Sequence, residues 1–326
     1  PYNYDCNGTD YSAGLDVNGL LLSPETRWGG IARELEAKSF DFNYIDFWLM
    51  DPLCNDEEIA GTVVINLGTI SEDVLKDGNQ FKEHYVHLAN LQNNDTSNWG
   101  IVPSESLNTY AFEDKLNQDF GYDGLNDEGE QTFFSAYLDE VAALCNLEAY
   151  QAIYSDPSAD DFHSYRGEDY DWDPAFSSIL LKYKKFSNPE GNSEPAVVGI
   201  TGDDAFYRRT LQPDGEMYDD DMSFQQTDSY FGYSIDLDQA ALAEENQNYI
   251  DQIHVSAPTL VNGETGYVRW YHFKIPINEY THSVGNPVLD GSYEHIRIYL
   301  TGFNKPVVLR FAELLITDEY VDVIGK

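Results

Sequence analysis

Apolar residues in this chain recur mostly at every second position, in short blocks separated by polar turns. Phe40, Phe42 and Tyr44 alternate with polar residues, and Ile45-Asp-Phe-Trp-Leu-Met50 is then almost continuously apolar. Asp51-Pro52 ends that block, because proline cannot donate to a strand ladder and restricts the residue before it. After a polar loop at Asn55, Asp56, Glu57 and Glu58, Thr62 to Leu67 forms a second block, so a strand pair is predicted here. The final third repeats the pattern at Tyr230–Asp236, Tyr249–Val255, Val268–Pro276, His295–Thr301 and Val307–Ile316. The first 30 residues offer less, a patch at Leu20-Leu21-Leu22 and then Arg27-Trp-Gly-Gly-Ile31.

The middle of the chain differs. Residues 71–98 are polar, with Ser71-Glu72-Asp73 read as the start of a helical turn and 90–98 as a surface loop. Over 131–147 the period changes. Phe134, Leu138, Val141 and Cys145 recur at helical spacing while Asp139 and Glu140 face outward, which predicts one amphipathic helix. From Tyr154 to Pro174 aromatics and acids mix without a period, as in a long ordered loop, and 187–195 carries boundary residues.

The strand pair near residue 45 has an echo near the end of the chain. Asn43–Asp51 parallels Glu294–Gly302, and Gly61–Asp73 parallels Pro306–Asp318, in pattern more than identity. The fold class that follows is mainly β with a helical insert: two jelly-roll or β-sandwich units flanking a calcium-loop and helix segment. The corresponding domains are 1–104, 105–195 and 196–326. A single composite sandwich fed by both ends of the chain is the rival arrangement.

Composition narrows the function. The 326 residues include 58 acids against 18 Lys and Arg, a net charge of -40, and 14% aromatics. Such a surface repels phosphate backbones and anionic lipid, so neither nucleic acid nor a membrane is expected as a direct partner. There is no apolar run of membrane-spanning length. The abrupt start at Pro1-Tyr2-Asn3-Tyr4-Asp5 reads as internal to a longer protein. Cys6, Cys54 and Cys145 have neither metal-ligand nor redox spacing. Cys145 is expected as a free thiol on the helix, and a Cys6–Cys54 pair is left open.

One stretch carries candidate chemistry. Asp119 to Glu130 fits the EF-hand loop, with acids Asp119, Asp123, Asp127 and Glu130 at positions one, five, nine and twelve. Gly124 falls at the sharp-turn position six. Leu125 falls at position seven, where a backbone carbonyl coordinates. Gly121 at position three supplies no carboxylate. The predicted ligand set is therefore Asp119, Gly121, Asp123, Leu125, Asp127 and Glu130 around a structural Ca2+. Asp169, Asp171 and Asp173 alternate as a second loop would begin, but Pro174 stands where the glycine belongs. His84 and His87 lack further zinc ligands, His163 reads as structural, and no carboxylate pair or nucleophile motif converges. No enzyme is expected. A secreted carbohydrate-binding sandwich, with Trp48, Trp172 or Trp270 as sugar platforms, is the alternative function.

Several strings are distinctive in their order: Arg27–Ile31, Ile45–Pro52, Asn66–Asp77, Asn117–Asp127, Phe162–Asp171, Pro189–Ser193, Trp270–Pro276 and Leu309–Glu313. Together they resemble an internal segment of the SprA/Sov family, the large outer-membrane translocon of the type IX secretion system in Bacteroidetes. The resemblance runs over nearly the whole chain. It implies a soluble insertion of a giant barrel protein, in the extracellular cap or, alternatively, on the periplasmic side. Its implied partners are the rest of the translocon polypeptide, accessory outer-membrane and plug proteins, and secreted cargo. The chain departs from the family at Asp219-Asp-Asp-Met-Ser-Phe-Gln225, where a second acidic motif is expected.

Overall fold

The computed structural model describes residues 15–35, 43–54, 56–81, 95–97, 99–102, 123–158, 174, 216, 223–245, 247–259, 262–289 and 293–317. The chain divides into two compact units. One comprises Pro1–Leu22 and Glu72–Gln225, the other Ser23–Ser71 and Gln226–Lys326.

The second unit is an antiparallel β-sandwich. Its strands are β1 (Trp28–Glu34), β2 (Tyr44–Met50), β3 (Gly61–Thr69), β6 (Ser229–Leu237), β7 (Ile250–Ser256), β8 (Val268–Pro276), β9 (His282–Val284), β10 (His295–Thr301) and β11 (Phe311–Thr317). A five-stranded sheet runs β1-β10-β3-β6-β9 and a four-stranded sheet β11-β2-β8-β7. Alternation explains the burial, since successive side chains of a strand point to opposite faces. Ile45, Phe47 and Leu49 of β2 meet Tyr271, Phe273 and Ile275 of β8 on the inner face. The five-stranded sheet supplies Val63, Ile65, Leu67, Phe231, Tyr233 and Ile235. Phe47 and Phe273, directly paired across β2 and β8, stack with ring centroids 5.0 Å apart. Each such fully buried side chain contributes about 1.5–3 kcal/mol relative to exposure.

The sequence echo has a structural meaning. β2 and β10, the matching first strands, lie in different sheets, as do β3 and β11. β2 pairs with β11 and β3 with β10, so each copy is completed by the other. Strands from the 1–104 and 196–326 stretches thus interleave in one sandwich, the composite arrangement. Its boundaries fall at 22/23, 71/72 and 225/226.

Close approach dictates several glycines in this sandwich, Gly61 among them. The Phe303 ring lies over Gly61, where an added Cβ would come within 2.4 Å of the ring.

The described part of the first unit is mainly helical. A short hairpin, β4 (Asp95–Thr96) and β5 (Ile101–Val102), is followed by α1 (Asp127–Phe133), α2 (Ser135–Leu144) and α3 (Leu147–Ser155). The single helix predicted over 131–147 is therefore three helices that begin earlier and extend later. Phe134 forms the break between α1 and α2. Cys145 turns extended after α2, and Asn146 then caps α3 by accepting from Ala149 N at 3.0 Å. The expected helical face holds in part: Phe134, Leu138 and Val141 are buried, whereas Cys145 is a half-buried free thiol. Cys54 is free and exposed, and Cys6 lies outside the described residues. Ser71-Glu72-Asp73 opens a loop instead of a helical turn, in which Asp73 accepts from Asp77 N and Gly78 N. Among the described residues, no helix is long and apolar enough to cross a membrane.

Candidate metal centre

The second half of the predicted calcium loop lies at the start of α1. Gly124 has φ +70°, the left-handed turn demanded at position six, which glycine adopts without steric cost. Asp123 is held from both sides: its Oδ1 accepts from Leu125 N at 2.9 Å, and its carbonyl accepts from Ile101 N of β5 at 2.9 Å. The Leu125 side chain is fully buried against Ile101, with Phe133 packed beside them. Asn126 caps α1 by accepting from Gly129 N at 3.1 Å. The helix consequently begins at Asp127, the ninth loop position, and places Glu130 one turn further on. Asp119 and Gly121 lie outside the described residues.

A residue from beyond the loop joins this group. Asp127, Glu130 and Asp156 each offer one carboxylate oxygen, and these three atoms lie within 4.8 Å of one another. Asp156 is the C-cap of α3. The end of that helix is tied to α1 through Gln131 Nε2, which donates to the Tyr154 carbonyl at 2.9 Å. Ser158 links the two most buried acids, its N–H donating to Glu130 Oε2 at 2.9 Å and its hydroxyl to Asp123 Oδ2.

The electrostatics suit a cation. Burial pushes the Asp123 carboxyl well above the usual carboxylate range. Ser158 and the Leu125 N–H draw it back, while Asp156 and Asp127 push it further up. Glu130 is raised by burial first, then by the charge of Asp123, with Asp156 and Asp127 adding to it. Without a positive charge Asp123 and Glu130 hold their protons more tightly than free carboxyls; a divalent ion would displace them. An all-oxygen donor set on a glycine turn fits Ca2+, a hard cation that takes six to eight oxygens.

Asp156 and Ser158 escaped the sequence pattern, although the Asp156-Pro157 step does mark a helix end. Of the remaining sequence candidates, His84, His87, His163, Asp169, Asp171, Asp173 and Trp172 lie outside the described residues. Trp48 and Trp270 are half-buried on β2 and β8. Trp48 stacks on His272 with ring centroids 4.6 Å apart.

These features define a mainly β protein: an antiparallel sandwich with an acidic, helix-bearing insert. A family model, SprA_N, described as motility related/secretion protein, matches residues 136–323, more than half of the chain. The chain belongs to this family of motility- and secretion-related proteins. Asp156, Ser158 and the whole run β6 to β11 fall inside the match, whereas Asp123, Asp127 and Glu130 precede it. No curated protein matches the chain.

Proposed function

We propose that the chain is a non-enzymatic structural and interaction module of a type IX secretion translocon, a part of its extracellular cap stabilised by calcium. Family membership supports the secretion role. The observation that carries the calcium reading is the convergence of Asp127, Glu130 and Asp156 beside buried Asp123 on the Gly124 turn. In this reading Asp123, Asp127, Glu130 and Asp156 hold the ion, which ties the entry of α1 to the exit of α3. Asp119, the Gly121 position and the Leu125 carbonyl complete the shell. The ion acts as a brace and supplies no reaction step. Partners are the remainder of the translocon polypeptide, its accessory outer-membrane and plug proteins, and the cargo that passes it.

Calcium is tested by thermal melting with calcium and with chelator. An ion present at 100 times its Kd, and bound only by the folded state, adds about 2.7 kcal/mol. Asp123→Ala should abolish that difference; a melting temperature indifferent to chelator in the native chain sinks the calcium reading. The module role is tested by deleting the segment from its parent protein. Undiminished secretion, or a segment shielded from protease added to intact cells, would overturn the cap assignment.

A further inference from the structure

The four-stranded sheet holds an imidazole between two carboxylates. His272 of β8 follows Tyr271 and precedes Phe273, both core residues, so alternation turns it to the opposite face of the sheet. Its Nε2 lies 2.8 Å from Asp46 Oδ1 on β2 and its Nδ1 lies 3.2 Å from Asp251 Oδ2 on β7. His272 and Asp46 are each only 4% exposed. Trp48, directly across from His272 in register, covers the ring.

Asp251 reaches this position through a register shift. Ile250 pairs with Phe273 and Gln252 with His272, leaving Asp251 as the additional residue between them. A bulge of this kind re-aims a side chain that a regular strand would carry elsewhere. Here it delivers a carboxylate to the free nitrogen of His272.

Both nitrogens face groups that, when ionised, accept and cannot donate, so a neutral ring satisfies one of them and turns a lone pair on the other. Burial by itself disfavours the charged ring. The hydrogen bonds and charges of Asp46, then those of Asp251, outweigh it and raise the His272 pKa above its ordinary value. The titratable groups facing the ring are Asp46 from β2 and Asp251 from β7. Lys274, the next residue on that face of β8, places its Nζ over the Tyr44 ring at 4.3 Å, and His254 of β7 pairs with Trp270.

We propose that His272 and the β7 bulge form a proton-operated latch: the doubly protonated ring fastens β7 to β8 and β2, and its deprotonation releases β7 at the bulge. Nδ1 loses its proton to solvent, past the Asp251 side chain, which is 27% exposed. Nε2 keeps its own, because Asp46 has its other oxygen, Oδ2, buried without a hydrogen-bond partner. The sign follows from a folded pKa above the unfolded one. The latch is closed below the ordinary histidine pKa, weakens as pH rises, and is lost above the folded pKa.

The test follows the His272 ring by its nitrogen chemical shifts, the Trp48 emission as the difference from Trp48→Phe, and amide exchange, all on the full chain. His272 should titrate above 6.5, with Trp48 emission rising as the ring loses its charge. Protection of β7 amides, corrected for intrinsic exchange, should fall about tenfold per pH unit from 6.5 to the folded pKa and then level, while β3 is unaffected. Asp251→Asn, near-isosteric at a partly exposed site, should lower the His272 pKa and flatten the β7 response. A His272 that titrates at or below 6.5, or a β7 response unchanged in Asp251→Asn, overturns the latch.

Discussion

Replacing Glu216 by Gln should reverse the stability order of native and variant chains between pH 5 and pH 9. Glu216 is buried and clamps the 72–81 loop. Its Oε1 accepts from Val74 N at 3.1 Å and Leu75 N at 3.3 Å, and its Oε2 accepts from Phe81 N at 2.9 Å. Burial pushes its pKa up to about 8. The Phe81 and Leu75 N–H groups oppose the rise, and the charges of Asp73 and Asp77 reinforce it. The folded state therefore holds a proton that the unfolded chain gives up near the ordinary value of 4.5. Stability is complete below that value and declines until pH passes about 8. The whole decline is worth at most about 5 kcal/mol. Glutamine does not titrate, but its amide nitrogen meets Phe81 N–H, or after a flip Val74 and Leu75 N–H, donor against donor. That mismatch costs about 1–3 kcal/mol at any pH. Urea unfolding at pH 5, 7 and 9 should show Glu216→Gln the weaker at pH 5 and the stronger at pH 9. A constant difference between the two chains across this range would refute the reasoning.

Three further outcomes are expected. Gly61→Ala drives a Cβ into the Phe303 ring and should lower sandwich stability by about 1–3 kcal/mol, read from the urea midpoint. Tyr233→Phe removes the buried hydroxyl that donates to the Ile277 carbonyl at 2.7 Å, and should cost about 1–1.5 kcal/mol with no change in secondary structure by circular dichroism. Asp156→Asn should shrink the calcium-dependent melting shift while leaving the melting temperature in chelator unchanged or higher, because it removes a charge that pushes up both Asp123 and Glu130.

Strands that bury one face were legible in the sequence, since alternation survives wherever a sheet has an inside. β2, β3, β6, β8 and β10 fall where the apolar blocks fall, and β11 begins four residues later than its block. β1 is marked in the sequence only by the string Arg27–Ile31, with no strand period: it carries two glycines, and Trp28 and Ile31 remain exposed. β9 is three residues long and has no buried position. α3 lies beyond the predicted helix: Leu147, Tyr150 and Tyr154 share helical spacing, but the helix is only nine residues long and buries none of them. Half of the candidate centre is a local pattern, with its glycine at the turn and its acids counted from it. Asp156 belongs to the group only through the path of three helices. The Asp46–His272 contact spans 226 positions, and a period of two says nothing about which polar residues meet.

The interleaving of the sandwich also sets when it can form. β1 pairs with β10, β2 with β8 and β11, and β3 with β6 and β10. Among the described strands, none of these first three finds a partner before residue 229. As the chain leaves the ribosome, or threads through a membrane from its N-terminus, its most apolar segments emerge with their edges bare. They stay so until the last strands arrive, which makes this a slow-closing fold with a long aggregation-prone interval. Truncation from the C-terminal side therefore strands β2 and β3 together with the end that is lost.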